Sequence, residues 1–301
     1  MRIFENLNVA WGAHTKRAVS VSVVLLIISV VSLFTVGLEL GIDFKGGREF
    51  VVETTEPLSA TAVRADIGTA IGAEPEVKAY GDNGLLIRTT ESGDDDAVKN
   101  AIVAELESSY GQFNPTITKE DNVGPRFARD LKRGAIYSVI GSLFVIFVYI
   151  MIRFEWRYGV GAVVALFHDV LIVLGMFALL HGVLPFSLQI DQTIIAAFLT
   201  LVGYGLNDTV VIFDRIREYA TLFKTQPFEE TVDRSINRTM SRTIVTSGTT
   251  LLVVIVLFIF GGEVLKGFSF ALMVGIVVGT YSSIYIASPV VVELRRRFPV
   301  R

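Results

Sequence analysis

Three ionisable side chains lie within long apolar runs of the sequence, where a charge is expensive. Asp208 lies in a run that ends near Phe213, and His168 and Asp169 lie near the middle of an earlier run. A charged side chain at the centre of a bilayer costs roughly 2.5–3.5 kcal/mol on insertion scales and usually faces a bundle interior or a water-filled cavity. We therefore expect these three side chains to face the interior of a helix bundle or a water-filled cavity rather than lipid.

Asp208 and Arg242 can meet because they occupy the facing ends of two consecutive apolar runs. Asp208 lies about five residues before its run ends, and Arg242 stands at the start of the next run. An opposed guanidinium in low dielectric would keep the carboxylate ionised, whereas separation of the pair or entry of water would let it take a proton. The residues alone fit a proton relay and a static interhelical salt bridge equally well.

Polar residues at helical spacing accompany both members of this pair. Thr200, Tyr204 and Asp208 recur at i, i+4 and i+8, and Thr246 follows Arg242 at i+4, so each set shares one helical face. A histidine titrates near neutral pH, so the His-Asp pair fits a relay or a hydrogen-bonded packing contact. The residues predicted to support the pair are Tyr204, Asn207, Thr209, Thr246, His168 and Asp169.

Six apolar runs are long enough to carry these residues across a bilayer as helices. A hydrocarbon core about 30 Å thick requires roughly 20 apolar residues at about 1.5 Å each. Hydrophobic residues make up 51% of the 301 residues, which is typical of a membrane protein. The predicted transmembrane helices cover residues 18–36, 134–152, 158–180, 191–213, 243–260 and 268–290.

The distribution of Lys and Arg predicts that both termini are cytoplasmic. Short cationic segments stay on the cytoplasmic side, and Lys16 and Arg17 precede the first run while three arginines, 295–297, follow the sixth. The loop 181–190 has neither Lys nor Arg and should face outward. The predicted segments are a cytoplasmic N-terminus (1–17), helix 1 (18–38), an outer domain (39–132), helices 2–6 (133–292, with a cytoplasmic loop near 214–242) and a cytoplasmic C-terminus (293–301).

The outer domain is predicted to fold by itself, because so long a connection needs structure of its own. Alternating apolar residues predict strands at 49–54, 76–80, 85–90 and 116–123. Helical spacing predicts helices at 59–71 and 95–110, the second preceded by a cap region at Gly93 and Asp94. The order βαββαβ is that of an extracytoplasmic α+β ferredoxin-like domain. Its acidic run around Asp95 fits a solvated helix start, and peptide binding is the alternative.

The sequence offers little for enzymatic or metal chemistry. It has no cysteine and three histidines, and it lacks P-loop, zinc-protease and nucleophile-elbow patterns. We therefore expect no enzyme activity, no metal and no cofactor, with protons as the coupling ion. The net charge of −3 argues against a nucleic-acid partner.

Four segments resemble one family. They read GIDFKGG at 41–47, VGPRFARDL at 123–131, GYGLNDTVVIFDRIRE at 203–218 and SINRTMSRTIVTSGTT at 235–250. Together with the order of the spans, these segments are similar to the SecF family of the SecDF protein-export complex along essentially the whole chain. The last two segments are the specific ones.

The resemblance implies a multi-pass subunit of a bacterial or archaeal cytoplasmic (inner) membrane. Such a subunit would use the proton motive force to assist export of polypeptides through the Sec translocon. The implied partners are SecD, SecYEG, the translocating preprotein and membrane lipid, and the residues implied in proton movement are Asp208 and Arg242. Two alternatives remain, namely half of an RND-type proton-coupled exporter of small molecules or lipids, and a passive translocon assembly subunit.

Overall fold

The chain forms two compact units in a computed structural model that describes residues 8–73, 75–89, 95–184 and 186–299. Met1–Leu38, Tyr137–Leu179 and Ile194–Arg301 form the helical unit. Glu39–Ile136 and Leu180–Thr193 form the sheet unit. The predicted cap at Gly93 and Asp94 lies outside the described residues.

The described elements follow the predicted order closely. In the chain they are α1 (Trp11–Thr35), α2 (Ile42–Lys45), β1 (Gly47–Glu53), α3 (Ala60–Ile71), β2 (Glu76–Tyr80), β3 (Gly84–Thr89), α4 (Asp95–Tyr110), β4 (Thr116–Val123), α5 (Pro125–Arg153), α6 (Trp156–Leu180), α7 (Gln192–Leu222), α8 (Phe228–Phe260), α9 (Glu263–Ser282) and α10 (Ser288–Arg297).

Six helical stretches within the described residues are long and apolar enough to cross a membrane, as the sequence predicts. Five are α1, α5, α6, α7 and α8, and the sixth runs through Leu265–Arg297. Helix α8 begins well before the predicted start of its span at 243. Its extra turns are amphipathic, with Val232, Ile236 and Met240 at i, i+4 and i+8 in the core, so they continue the helix by burying one face.

The sixth stretch contains a π-helical turn, Ser283–Ala287, between α9 and α10. Pro289 follows at the start of α10, and proline has no amide hydrogen to donate to the preceding turn. The Ser288 hydroxyl donates to the Ser283 carbonyl at 2.9 Å. The wider turn therefore accommodates the proline without ending the helix.

Aromatic and aliphatic side chains of α5–α8 and α10 form the core of the helical unit. Phe213 is fully buried and packs edge-on against Tyr158, with ring centroids 5.1 Å apart. A Cβ on Gly161 would lie 2.9 Å from the Ala287 carbonyl, so α6 approaches the π turn as closely as a glycine allows. Gly279 is less crowded, since its Cβ would lie in ordinary van der Waals contact, 3.6 Å from the Cα of Gly205. These contacts position the polar residues described below.

The sheet unit contains a four-stranded sheet with the order β2-β3-β1-β4. All three neighbouring pairs are antiparallel. The element order is βαββαβ, as predicted, and the hydroxyl of Ser59 caps α3 by accepting from Ala62 N at 3.5 Å. The core between the sheet and helices α3 and α4 consists of Phe50, Val52, Val63, Ile67, Val77, Leu85, Ile87, Val98, Ile102 and Leu106.

The alternation along the strands decides which residues reach that core. Phe50 and Val52 of β1 face helices α3 and α4. Because side chains alternate along a strand, Glu49 and the residues two positions away from it face the other side of the sheet. The same alternation places Lys78 and Arg88 on that side. The sheet is thus apolar on the face toward α3 and α4 and mixed on the other, where the buried Val51 and Leu86 lie among the charged side chains.

A buried carboxylate held by hydroxyl groups

Asp208 is a buried carboxylate in the middle of the helical unit. Asp208 is 4% exposed to solvent, and its Oδ2 accepts a hydrogen bond from Ser247 Oγ of α8 at 2.8 Å. Thr280 Oγ1 of α9 lies 3.4 Å from the same oxygen and 2.9 Å from Ser247 Oγ. Because a hydroxyl has one proton, Thr280 serves the carboxylate directly or through Ser247. Three helices therefore converge on Asp208.

Arg242 does not pair with Asp208 in the described part of the chain. Its side chain is exposed, and the Asp208 carboxylate is bonded instead by the hydroxyls of Ser247 and Thr280. Arg242 precedes Ser247 by five residues on α8, which is about 7.5 Å along a helix axis. The sequence-based pairing of the two side chains is thus not formed here, and hydroxyls take the place of the guanidinium.

The supporting residues predicted on α7 have different surroundings. Tyr204 is half-buried, and its hydroxyl donates to the Thr246 carbonyl at 3.3 Å, which joins α7 to α8. Asn207 is exposed. Thr209 is buried, but its hydroxyl donates to the carbonyl of Gly205 in its own helix at 3.2 Å.

The residues of α8 that face Asp208 follow the predicted ones by one position. The Thr246 hydroxyl donates to the Arg242 carbonyl within its helix at 2.8 Å and so does not reach Asp208. Thr243 and Ser247 are the buried residues, and Ser247 makes the contact. The spacing of Thr243 and Ser247 at i and i+4 was the signal that identifies this face. Thr280 on α9 was also missed, because nothing in its local sequence distinguishes it.

His168 and Asp169 form a second buried polar pair, on α6. His168 Nδ1 lies 2.9 Å from Asp169 Oδ1, and Ser282 Oγ of α9 donates to Asp169 Oδ2 at 2.8 Å. The Nε2 atom of His168 is buried without a hydrogen-bond partner among the described residues. The imidazole stacks on Tyr281, with ring centroids 6.4 Å apart. The pair is thus both a packing contact and a buried titratable group.

Glycines bring this second pair close to the turn of α7 that precedes Asp208. A Cβ on Gly205 would lie 3.7 Å from Asp169 Oδ2, and a Cβ on Gly279 would lie 3.6 Å from the same atom. Ser282 and Thr280, which bond the two carboxylates, are two residues apart on α9. Both carboxylates therefore lie along the seam between α7 and α9.

No cluster of three His, Cys, Asp or Glu side chains suited to a metal ion occurs among the residues that the structure describes. The polar groups of the seam are hydroxyls, carboxylates and one imidazole, all of which can donate or accept protons. The chemistry that this arrangement can support is reversible protonation.

Comparisons with known proteins show to which family the chain is related. The family model "Protein export membrane protein SecD/SecF, C-terminal" matches residues 102–297, and the "SecD/SecF GG Motif" matches residues 31–57. The protein translocase subunit SecF of Rhodothermus marinus is 64% identical over 301 residues, which is 100% of this chain and 98% of that protein. The SecF subunit of Desulfurispirillum indicum is 42% identical over 93% of this chain and 90% of its own length.

Solved structures agree with these relatives. The crystal structure of SecDF, a translocon-associated membrane protein from Thermus thermophilus, is similar with a TM-score of 0.88 and 33% identity over 99% of this chain. The chain spans 40% of the length of that SecDF chain. A second SecDF structure, in the super-membrane-facing form, has a TM-score of 0.71 over 97% of this chain. With its family model, its relatives along the full length and its fold in agreement, the chain belongs to the SecF family of protein translocase subunits.

Proposed function

We propose that the chain couples proton movement across the membrane to polypeptide export, with Asp208 as the group that binds and releases the proton. The observation that carries this proposal is the pair of hydroxyls, from Ser247 and Thr280, at one oxygen of the carboxylate. Ser247 and Thr280 can donate to an ionised carboxylate and, after rotation, accept from a protonated one. Both protonation states are thus satisfied without a large rearrangement.

Arg242 completes the relay as a mobile cation. Its exposed side chain starts about one and a half helical turns from Ser247, at 3.6 residues per turn. An approach of the guanidinium favours the ionised carboxylate, and its withdrawal favours proton uptake. Because the Arg242 side chain is exposed, it has room to approach the carboxylate or to withdraw from it.

The energy for export would come from the membrane itself. Moving one elementary charge across the potential supplies about 2.3 kcal/mol per 100 mV. We assign SecD as the partner that supplies the rest of the SecDF assembly, SecYEG as the channel and the translocating preprotein as substrate. The SecDF structure, of which the chain spans 40%, supports the first of these partners.

The location follows from charge and topology. We place the chain in a bacterial or archaeal cytoplasmic (inner) membrane with both termini inside, because Lys and Arg concentrate at the two ends and in the short loops on the same side. The sheet unit would then be the outer domain. Its order β2-β3-β1-β4 and its βαββαβ chain order support a ferredoxin-like fold.

The test is Asp208→Asn in the complete SecDF complex, reconstituted with the translocon in proteoliposomes. Asparagine keeps the size and accepts hydrogen bonds but does not titrate, so we expect normal assembly and loss of the stimulation of preprotein transport by an imposed proton gradient. Asp214→Asn is the matched control, since this α7 carboxylate has a 56% exposed side chain and should leave stimulation intact.

Full gradient-dependent stimulation in Asp208→Asn would overturn the relay and favour a passive assembly subunit. Preprotein transport that is indifferent to the gradient in the unchanged complex would overturn the coupling of proton movement to export. Either result can be obtained in the same vesicles.

A further inference from the structure

Residues 39–47 of the sheet unit, here named the clasp segment, bind the loop that leads into α7. Gly41 N donates to Ile190 O at 2.8 Å, and Ile190 N donates to Glu39 O at 2.8 Å. These two bonds form a parallel bridge between Leu40 and Ile190. The clasp segment and the loop are therefore joined backbone to backbone.

Asp43 in the clasp segment caps α7. The amide of Gln192, the first residue of α7, donates to Asp43 Oδ2 at 2.9 Å. The first amides of a helix lack partners within it, and a carboxylate there is also favoured by the helix dipole. The first turn of α7 has no acidic residue of its own. Asp43 therefore adds a carboxylate from a position 149 residues earlier in the chain, beside Asp191, which immediately precedes the helix.

Glu39 ties the side chains of the same loop to the sheet. Its carboxylate, with 9% of the side chain exposed, contacts Lys78 of β2 and His181. It also accepts a hydrogen bond from Gln189 Nε2 at 2.8 Å. Gln189 in turn accepts from Arg88 of β3, whose side chain is 3% exposed. Both ends of the loop between α6 and α7 are thus held on the side of the sheet opposite α3 and α4.

The glycines of the clasp segment make its path possible. A Cβ on Gly41 would lie 3.2 Å from the Ile190 carbonyl, so a larger residue would crowd the bridge. Gly46 and Gly47 have φ values of 77° and 121°, which L side chains rarely adopt. They turn the chain from α2 directly into β1.

We propose that Asp43 and Glu39 are positioning residues for Asp208, because they fix the first turn of the helix that carries it. Helix α7 is continuous from Gln192 to Leu222, so its first turn and Asp208 belong to one element. Asp208 lies 16 residues after Gln192, about 24 Å along the axis. This inference rests on the proposed function of Asp208, and it makes α7 the element through which the sheet unit and the proton site act on each other.

The first experiment uses Asp43 variants in the complete SecDF complex. Asp43→Ala removes the acceptor, so we expect about fivefold faster hydrogen exchange of the first-turn amides of α7, as for loss of a typical cap. We also expect loss of most gradient-dependent transport stimulation, with transport in the absence of a gradient unchanged. Asp43→Asn keeps an acceptor oxygen and should retain both properties. Asp82→Ala, at an exposed turn of the same unit, is the control.

The second experiment replaces the hydrogen bonds of the clasp by a covalent bond. The chain has no cysteine, so Leu40→Cys and Ile190→Cys introduce a single possible disulfide at the bridge. In the Asp43→Ala background, oxidation should restore gradient-dependent stimulation and slow exchange in α7, and reduction should reverse both. In the unchanged background, oxidation should leave stimulation intact.

The outcomes separate this inference from the proposed function. If Asp208→Asn abolishes stimulation while Asp43→Ala keeps it in full, the clasp has no positioning role and the proton relay stands. If Asp208→Asn keeps stimulation, both are wrong. Should Asp43→Ala fail to assemble, the two-cysteine variant decides alone, because inhibition on oxidation would show that the clasp must open and would overturn the proposal.

Discussion

At the scale of single residues, the proposed proton exchange at Asp208 requires partners that suit both protonation states of the carboxylate. Ser247 and Thr280 are small and can rotate about one bond, whereas a guanidinium partner would favour the ionised state alone. The cost of burying Asp208 is offset by hydrogen bonds from hydroxyls, which are net contributors of roughly 1.5–3 kcal/mol when one partner is charged. The site is therefore held by groups that tolerate proton exchange.

Ser247→Ala tests this account. It leaves the buried carboxylate one donor short, which costs about 1–3 kcal/mol. We expect a lower thermal stability of the SecDF complex and a several-fold smaller stimulation by a proton gradient, measured by thermal unfolding and vesicle transport. Ser247→Thr keeps the hydroxyl and should restore both.

Thr249→Ala serves as the control for Ser247→Ala, because Thr249 is exposed on the same helix and bonds the Val245 carbonyl at 2.8 Å. Equal losses in the two variants would mean that α8 merely tolerates alanine poorly.

The sequence predicted the carboxylate of the site but not its partners, for a physical reason. Asp208 stands out because a charge within an apolar run is costly. Ser247 does not, since it lies in a run of polar residues, Thr246 to Thr250, that covers several faces of α8. Thr280 and Asp43 are fixed by tertiary contacts with residues 72 and 149 positions away. No local pattern contains that information.

At the scale of elements, local chemistry determined most of the boundaries. Helix α4 and strands β2 and β4 have the predicted bounds, because capping residues, glycines and alternating apolar residues mark their ends. Helices α7 and α8 are longer than predicted, since hydropathy identifies only the apolar part of a helix and their amphipathic extensions depend on packing. Element type is thus more predictable here than element length.

A fragment of residues 40–132 should fold alone, because the whole core of the sheet lies within it. It contains two tyrosines, Tyr80 and Tyr110. Burial and a 2.5 Å hydrogen bond to Asp66 raise the pKa of Tyr110 to about 12. We expect absorbance titration to show a late transition near that pH, which Tyr110→Phe removes.

The sign of the accompanying stability change is fixed by the direction of that shift. The neutral phenol is favoured in the folded state, so its contribution is complete below the unfolded pKa of 10.0 and is lost as the pH rises toward about 12. Unfolding experiments on the fragment should therefore show a steeper decline above pH 10 than in Tyr110→Phe. A fragment without cooperative unfolding would contradict the independence of the sheet.

At the scale of the whole molecule, membrane topology is the property that sequence analysis predicts most directly. The lack of cysteine makes it easy to measure, because single cysteines can be added without background. We expect an impermeant thiol reagent to label Asp82→Cys from outside and Lys224→Cys only after the membrane is opened. Both positions are exposed. External labelling at residue 224 would contradict the assigned orientation.

The π turn before Pro289 determines how this helix responds to the deletion of a residue. A π turn behaves as one residue inserted into an α-helix, so the residues after it are rotated by about 100° relative to an unbroken helix. Deleting one residue between Ser283 and Ala287 would remove the extra residue and leave Val291 facing Gly161, whereas closing the turn without a deletion would rotate Val291 away by about 100°. At this turn a single-codon deletion is therefore the change of length that preserves the facing of the arginine-rich end of the helix.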